Sequence, residues 1–170
     1  GLSDPMDQVG ETFTDHEGTF KVDADRAARV KSAIEYIRDR SMNGLFPVIS
    51  EQKVNPKFLL GRDDLSGTVD CQIIGPDWIE LIDYKDGMGV VSAEGNMQLE
   101  QYAYGVLAGY SLPVNGQYSF NRVIMTIIQP KLAVKGMKPI TSHDVSLRSL
   151  LDNMGTIISQ AAATDKPDAP

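Results

Sequence analysis

Asp83 and Lys85 stand two apart in Trp78-Ile-Glu-Leu-Ile-Asp-Tyr-Lys85, a run of strand length. Both side chains therefore leave the same face of a strand. Asp70 lies in the preceding run, Gly67-Thr-Val-Asp-Cys-Gln-Ile-Ile74, and Gly75-Pro-Asp77 between the runs is turn chemistry. The two runs read as a β-hairpin. With the turn centred between Pro76 and Asp77, Ile74 faces Ile79, Gln72 faces Leu81, Asp70 faces Asp83 and Thr68 faces Lys85. Opposed Cβ atoms in such a ladder are about 5 Å apart, and like charges there repel. One of two carboxylates so placed has a raised pKa unless a cation stands between them. A hard divalent ion removes the conflict, because Mg²⁺ takes one or two carboxylates together with waters and phosphate oxygens. The expectation is that Asp70 and Asp83 hold Mg²⁺ or Mn²⁺, with the Tyr84 backbone carbonyl as a further ligand and Lys85 beside the ion. That set suits phosphodiester hydrolysis: the ion lowers the pKa of a bound water and neutralises phosphate charge. Lys85 orients the attacking water or stabilises the developing charge. A register slip of one residue would put the aspartates on opposite faces. Taken alone, an Asp-x-Lys pair on a strand is most often a structural ion pair.

The elements that must position this set follow from pattern. Residues 1–20 read as an irregular lead-in. Asp23 or Asp25 caps a helix running to about Ser41, with Val30, Ile34 and Ile37 on its apolar side. Residues 46–54 read as a strand, and Asn55-Pro56 breaks it. After the hairpin, a helix covers Ala93 to about Gly109, with Leu99, Ala103 and Val106 on one face. Arg122-Val-Ile-Met-Thr-Ile-Ile-Gln129 suits a strand buried on both faces. A last helix is expected from Thr141, whose spacing to Asp144 resembles a capping box. Val145, Leu150, Leu151, Met154 and Ile158 supply its apolar side. Residues 164–170 read as a disordered tail. The whole is an α/β domain with a mixed central β-sheet flanked by helices.

Gly67-Thr-Val-Asp70, then Leu81-Ile-Asp-Tyr-Lys-Asp-Gly87, then Gln98-Leu-Glu-Gln-Tyr102 resembles the PD-(D/E)XK nuclease superfamily. Within it the closest likeness is to the RecB-like branch and its phage-encoded exonuclease relatives. Residues 90–98 and 125–130 extend the resemblance, which covers about residues 20 to 160. It implies a restriction-endonuclease-like core and a Mg²⁺- or Mn²⁺-dependent deoxyribonuclease of phage DNA recombination, replication or repair. It also implies that Asp70 and Asp83 bind metal, that Lys85 is the catalytic lysine, and that Gln98 and Tyr102 contact DNA or orient the catalytic groups. Their i, i+4 spacing places both on one helical face. Glu51 ends the first strand and is placed to approach the metal, in a region where related nucleases sometimes add an acid; an electrostatic neighbour is the plainer reading. Two features depart from the family. No early helix supplies a histidine or glutamate to complete the site. The cysteines that hold an iron–sulfur cluster in several relatives are missing, so such a cluster would belong to a longer parent protein from which this domain is cropped. The rival reading is a non-catalytic nucleic-acid-binding or assembly domain on the same fold.

Composition narrows the classes. The 170 residues are 42% hydrophobic and 23% charged, enough for a core. No apolar run approaches a membrane span and no signal peptide is evident, so a cytoplasmic protein is expected. The net charge of −7 disfavours a wholly basic nucleic-acid surface but not a local groove. Cys71, the sole cysteine, is expected to be a buried inert thiol on the face opposite Asp70. Trp78 reads as a packing residue, Asp86 as a turn residue, and His16 and His143 as surface residues without metal-ligand spacing.

Overall fold

The computed structural model describes residues 4–15, 18–62, 64–109 and 120–164. A 3₁₀ turn at Pro5–Gln8 precedes strands β1 (Thr12–Asp15) and β2 (Gly18–Lys21), which form a small antiparallel hairpin. Helix α1 (Ala24–Arg40) and strand β3 (Val48–Val54) follow, then the single-turn α2 (Lys57–Leu60). Next come β4 (Gly67–Ile74), β5 (Trp78–Tyr84) and helix α3 (Met97–Gly109). The chain closes with β6 (Arg122–Ile128), β7 (Ile140–Ser146) and α4 (Leu147–Thr164).

The five longer strands make one sheet in the order β3-β4-β5-β6-β7. β5 and β6 run parallel, and the other neighbours are antiparallel. A parallel pair needs a crossover, and α3 lies within it. Leu99, Ala103, Val106 and Leu107 of α3 pack on Ile79, Leu81, Met125 and Ile127, with Leu150 and Ile157 of α4 in the same cluster. On the opposite face, Ala33, Tyr36 and Ile37 of α1 cover Cys71, Ile73, Trp78, Ile82, Ile124 and Ile128. Both faces being covered, β6 is buried from Val123 through Ile128, as its apolar run requires. The α/β class and the mixed sheet flanked by helices are thus observed.

Asp23 is the helix cap: its Oδ1 accepts from Arg26 N at 2.6 Å. The buried side of α1 falls on Ala27 and Ala33, however, while Val30 is exposed. The start of α3 is set by Asn96, whose Oδ1 accepts from Leu99 N at 3.1 Å, so the helix begins at Met97 rather than Ala93. The lead-in is not irregular: Phe13 pairs with Phe20, and the Thr14 and Thr19 hydroxyls are 2.9 Å apart. Such four-residue strands are too short for alternation to reveal them.

The largest correction concerns Thr141, which caps no helix. It pairs with Ile127 inside β7, and His143 pairs with Met125 in the same strand. The second edge of β6 carries a row of backbone groups that need partners, and residues 140–146 supply them. That requirement outweighs the local Thr-x-x-Asp spacing. The helix starts at Leu147, behind Ser146, whose Oγ accepts from Ser149 N at 3.0 Å. Leu147, Leu150 and Ile157 are its buried residues; Ile158 is exposed. Cys71 is buried where expected, and burial pushes its thiol up to about 11. Trp78 packs edge-on against Phe46. His16 and residues 165–170 of the expected tail lie outside the described residues. No helix among the described residues is long and apolar enough to cross a membrane.

Candidate active site

Lys85 sits just past the end of β5 and is held on two sides. Its Nζ is 2.9 Å from Asp83 Oδ2 and donates to Asp83 Oδ1 at 3.1 Å. It also donates to Gln98 Oε1 at 3.3 Å. The Gln98 Nε2 in turn donates to Tyr102 OH at 2.9 Å. Asp83, Lys85, Gln98 and Tyr102 therefore form one continuous polar chain from β5 to the first turns of α3. The i, i+4 placement on the helix and the i, i+2 placement on the strand both act as the sequence requires.

Asp70 joins them by an unexpected route. The β4–β5 ladder runs from Ile74↔Ile79 to Cys71↔Ile82, the register expected from the turn, and there it stops. Asp70 is not paired across from Asp83, nor Thr68 from Lys85. Instead Asp70 Oδ2 accepts from Tyr84 N at 2.8 Å, replacing the backbone acceptor that β4 withdraws.

β4 turns over at this point. Val69 packs with the α3 cluster, whereas Cys71 and Ile73, at even spacing from it, pack with the α1 cluster. Across from Asp70, Glu51 interrupts the β3 ladder between Ser50↔Cys71 and Gln52↔Val69 and takes φ +53°. A left-handed conformation costs a non-glycine residue about 1–2 kcal/mol. Such outliers gather at functional sites. Glu51 lies in the middle of β3, not at its end, and is exposed. Among the described residues, no three His, Cys, Asp or Glu side chains converge as a metal-binding group, so Glu51 does not join Asp70 and Asp83.

Asp83 is the buried acid of the pair. Burial pushes its carboxyl above the usual range, Lys85 pulls it back, and the charge of Asp70 adds to the rise. Its Oδ2 is buried and, despite the nearby ammonium, receives no well-directed hydrogen bond.

Gly67 fits this site because it lacks a side chain. A Cβ there would lie 2.4 Å from Tyr102 Cε1. Gly67→Ala is expected to push the Tyr102 ring off Gln98, lowering stability by about 1–3 kcal/mol. Urea unfolding measures the loss.

Several residues were not foreseen as part of the surroundings. Gln129, fully buried, donates from Nε2 to Gly87 O at 3.2 Å and to Gly89 O at 2.6 Å. Its Oε1 accepts from Val91 N at 3.2 Å, so it clamps the loop that follows Lys85. A polar residue closing a buried apolar run was the available signal. Asp86 is more than a turn residue: Arg29 lies at 2.9 Å and Lys131 at 3.2 Å. Burial raises its carboxyl pKa, but hydrogen bonds from these two cations outweigh that and hold it below the usual range.

A family model described as "Protein of unknown function (DUF2800)" matches residues 5–168, and the chain belongs to that family.

Proposed function

We propose that this member of the DUF2800 family is a metal-dependent nuclease hydrolysing phosphodiester bonds in DNA, an exonuclease of phage recombination, replication or repair. The observation that carries the reading is the meeting of three separate sequence segments. Asp70, the Asp83–Lys85 pair and the Gln98–Tyr102 pair gather where β4 leaves β5.

The donor set suits a hard divalent cation. Asp83 Oδ2 is buried 2.9 Å from the Lys85 ammonium without a well-directed hydrogen bond, so it keeps acceptor capacity for a cation. Asp70 and Asp83 would hold Mg²⁺ or Mn²⁺, with the Tyr84 carbonyl as the third protein oxygen, and waters and phosphate oxygens suffice for the remainder. When bound, such an ion lowers the pKa of a coordinated water and offsets phosphate charge. The chain's own groups do the positioning. Asp83 fixes the Lys85 ammonium, whose half-exposed head presents positive charge toward solvent. Gln98 Oε1 holds the same ammonium from the helix side, and Tyr102 OH fixes the Gln98 amide. A cation preorganised in this way stabilises charge that develops on a reacting phosphate without having to reorganise.

Calorimetric titration of the metal-free protein with Mn²⁺ tests the metal assignment. Binding is expected for the wild type and lost in Asp70→Asn with Asp83→Asn. Linear DNA should be digested with Mg²⁺ and left intact with EDTA. Digestion that continues unchanged in excess EDTA would overturn the reading.

A further inference from the structure

Gln72 of β4 is 0% exposed, yet neither its Oε1 nor its Nε2 has a hydrogen-bond partner among the described residues. A buried amide left in this way is rare and destabilising. Its place in the sheet supplies a reason. Gln72 lies directly across from Leu81, which packs in the α3 cluster. Paired residues of a ladder project from one face, so Gln72 shares the α3 face with Leu81 and with Asp83, two residues further along β5. Gln72 and Asp83 are diagonal neighbours, about 7–8 Å apart, a separation that a long side chain spans. On its own strand Gln72 follows Asp70 by two residues. The amide therefore borders the gap where the two acids meet.

Asp83 has acceptor capacity for it. A carboxylate offers about four lone-pair sites, and the Lys85 ammonium meets each oxygen once. We propose that Gln72 is a positioning residue for the metal site: when Asp70 and Asp83 hold the ion, Gln72 Nε2 donates to Asp83 and fixes the rotation of its carboxylate. A neutral donor suits this place, because a second ammonium would repel the ion that the carboxylate holds. A bond made only with the ion in place adds to metal affinity, whereas one made in both states adds nothing. The inference rests on the nuclease reading for the ion itself.

The test uses the whole chain. Gln72→Met keeps the volume and removes the unsatisfied amide, so it should raise the urea midpoint of the metal-free protein. That is the signature of a residue held for function against stability. The same variant should bind Mn²⁺ about 10–100-fold more weakly by calorimetry, the usual loss when the donor behind a metal ligand is removed. Gln52→Met is the control. Gln52 Oε1 also lacks a partner among the described residues, but Gln52 stands on β3, two strands and about 10 Å from β5. It should bind Mn²⁺ as the wild type does. In the wild-type protein, the ¹⁵N–¹H signal of the Gln72 side-chain amide, assigned by its loss in Gln72→Met, should shift as Mg²⁺ saturates the site. A lowered midpoint in Gln72→Met, wild-type Mn²⁺ affinity in that variant, equal weakening in Gln52→Met, or an amide signal that Mg²⁺ leaves in place would each overturn the proposal and leave the nuclease reading standing. Absence of Mn²⁺ binding by the wild type would instead fell that reading, and this proposal with it.

Discussion

Lys85→Ala is expected to lower the DNA-cleavage rate by about 10²–10⁴-fold while the fold stays intact, the range typical of removing a preorganised charge or proton-handling group. The ammonium touches Asp83 and Gln98 and is partly open to solvent, so its loss leaves no large cavity. Asp83→Ala should act at least as strongly, because it removes the carboxylate proposed to hold the metal and the anchor of Lys85 together. The two losses are expected to be non-additive, since both act on one group of atoms. Single-turnover digestion of a linear duplex with Mg²⁺, with circular dichroism alongside, reads both effects. Cleavage at the wild-type rate in either variant would end the assignment of roles, whatever the stability data say.

Glu80→Ala is expected to cost about 3 kcal/mol of stability and to leave cleavage unchanged in the folded fraction. Glu80 is fully buried on the α1 face of β5. Its Oε1 accepts from Tyr36 OH at 2.6 Å and Thr126 Oγ1 at 2.7 Å, and its Oε2 from Arg40 Nε at 2.5 Å. The Arg40 guanidinium also lies 4.5 Å from the Trp78 ring centre. One carboxylate thereby fastens α1 to the sheet, and truncation strands several donors at once. The figure stands at the low end for a broken buried pair because the Arg40 side chain is 37% exposed and can turn to water. Urea denaturation at constant pH measures it; a loss below about 1 kcal/mol would show that α1 docks by apolar contact alone. The contrast with Asp83 separates the two buried acids of β5. Glu80 has both oxygens hydrogen-bonded to α1 and β6 and belongs to the architecture, whereas Asp83 is paired with the partly exposed Lys85 ammonium.

The limits of local pattern are clearest at Asp70 and Thr141. Up to Cys71↔Ile82 the hairpin follows the register that its turn and apolar runs imply. One residue further, the ladder opens, and the acid reaches its neighbour through a side-chain bond to Tyr84 N. Nothing in the alternation of residues 67–74 marks that departure, which lies across from the left-handed Glu51 of another strand. Thr141 departs from its local pattern for a related reason: a capping pattern of four residues competes with a whole strand edge that must be paired, and the edge wins.

The amino-acid order by itself determined the α/β class, the hairpin register near its turn, and the shared face of Asp83 and Lys85. These follow from spacing along one strand or across one tight turn, where geometry is set by neighbours in the chain. Tertiary structure alone decided that β4 turns over at Asp70, that Gln98 meets Lys85, and that Glu80 ties down α1. Those contacts join segments up to 44 positions apart. Their geometry is fixed by how layers pack and by which backbone groups still need partners, and neither is encoded within any single stretch of residues.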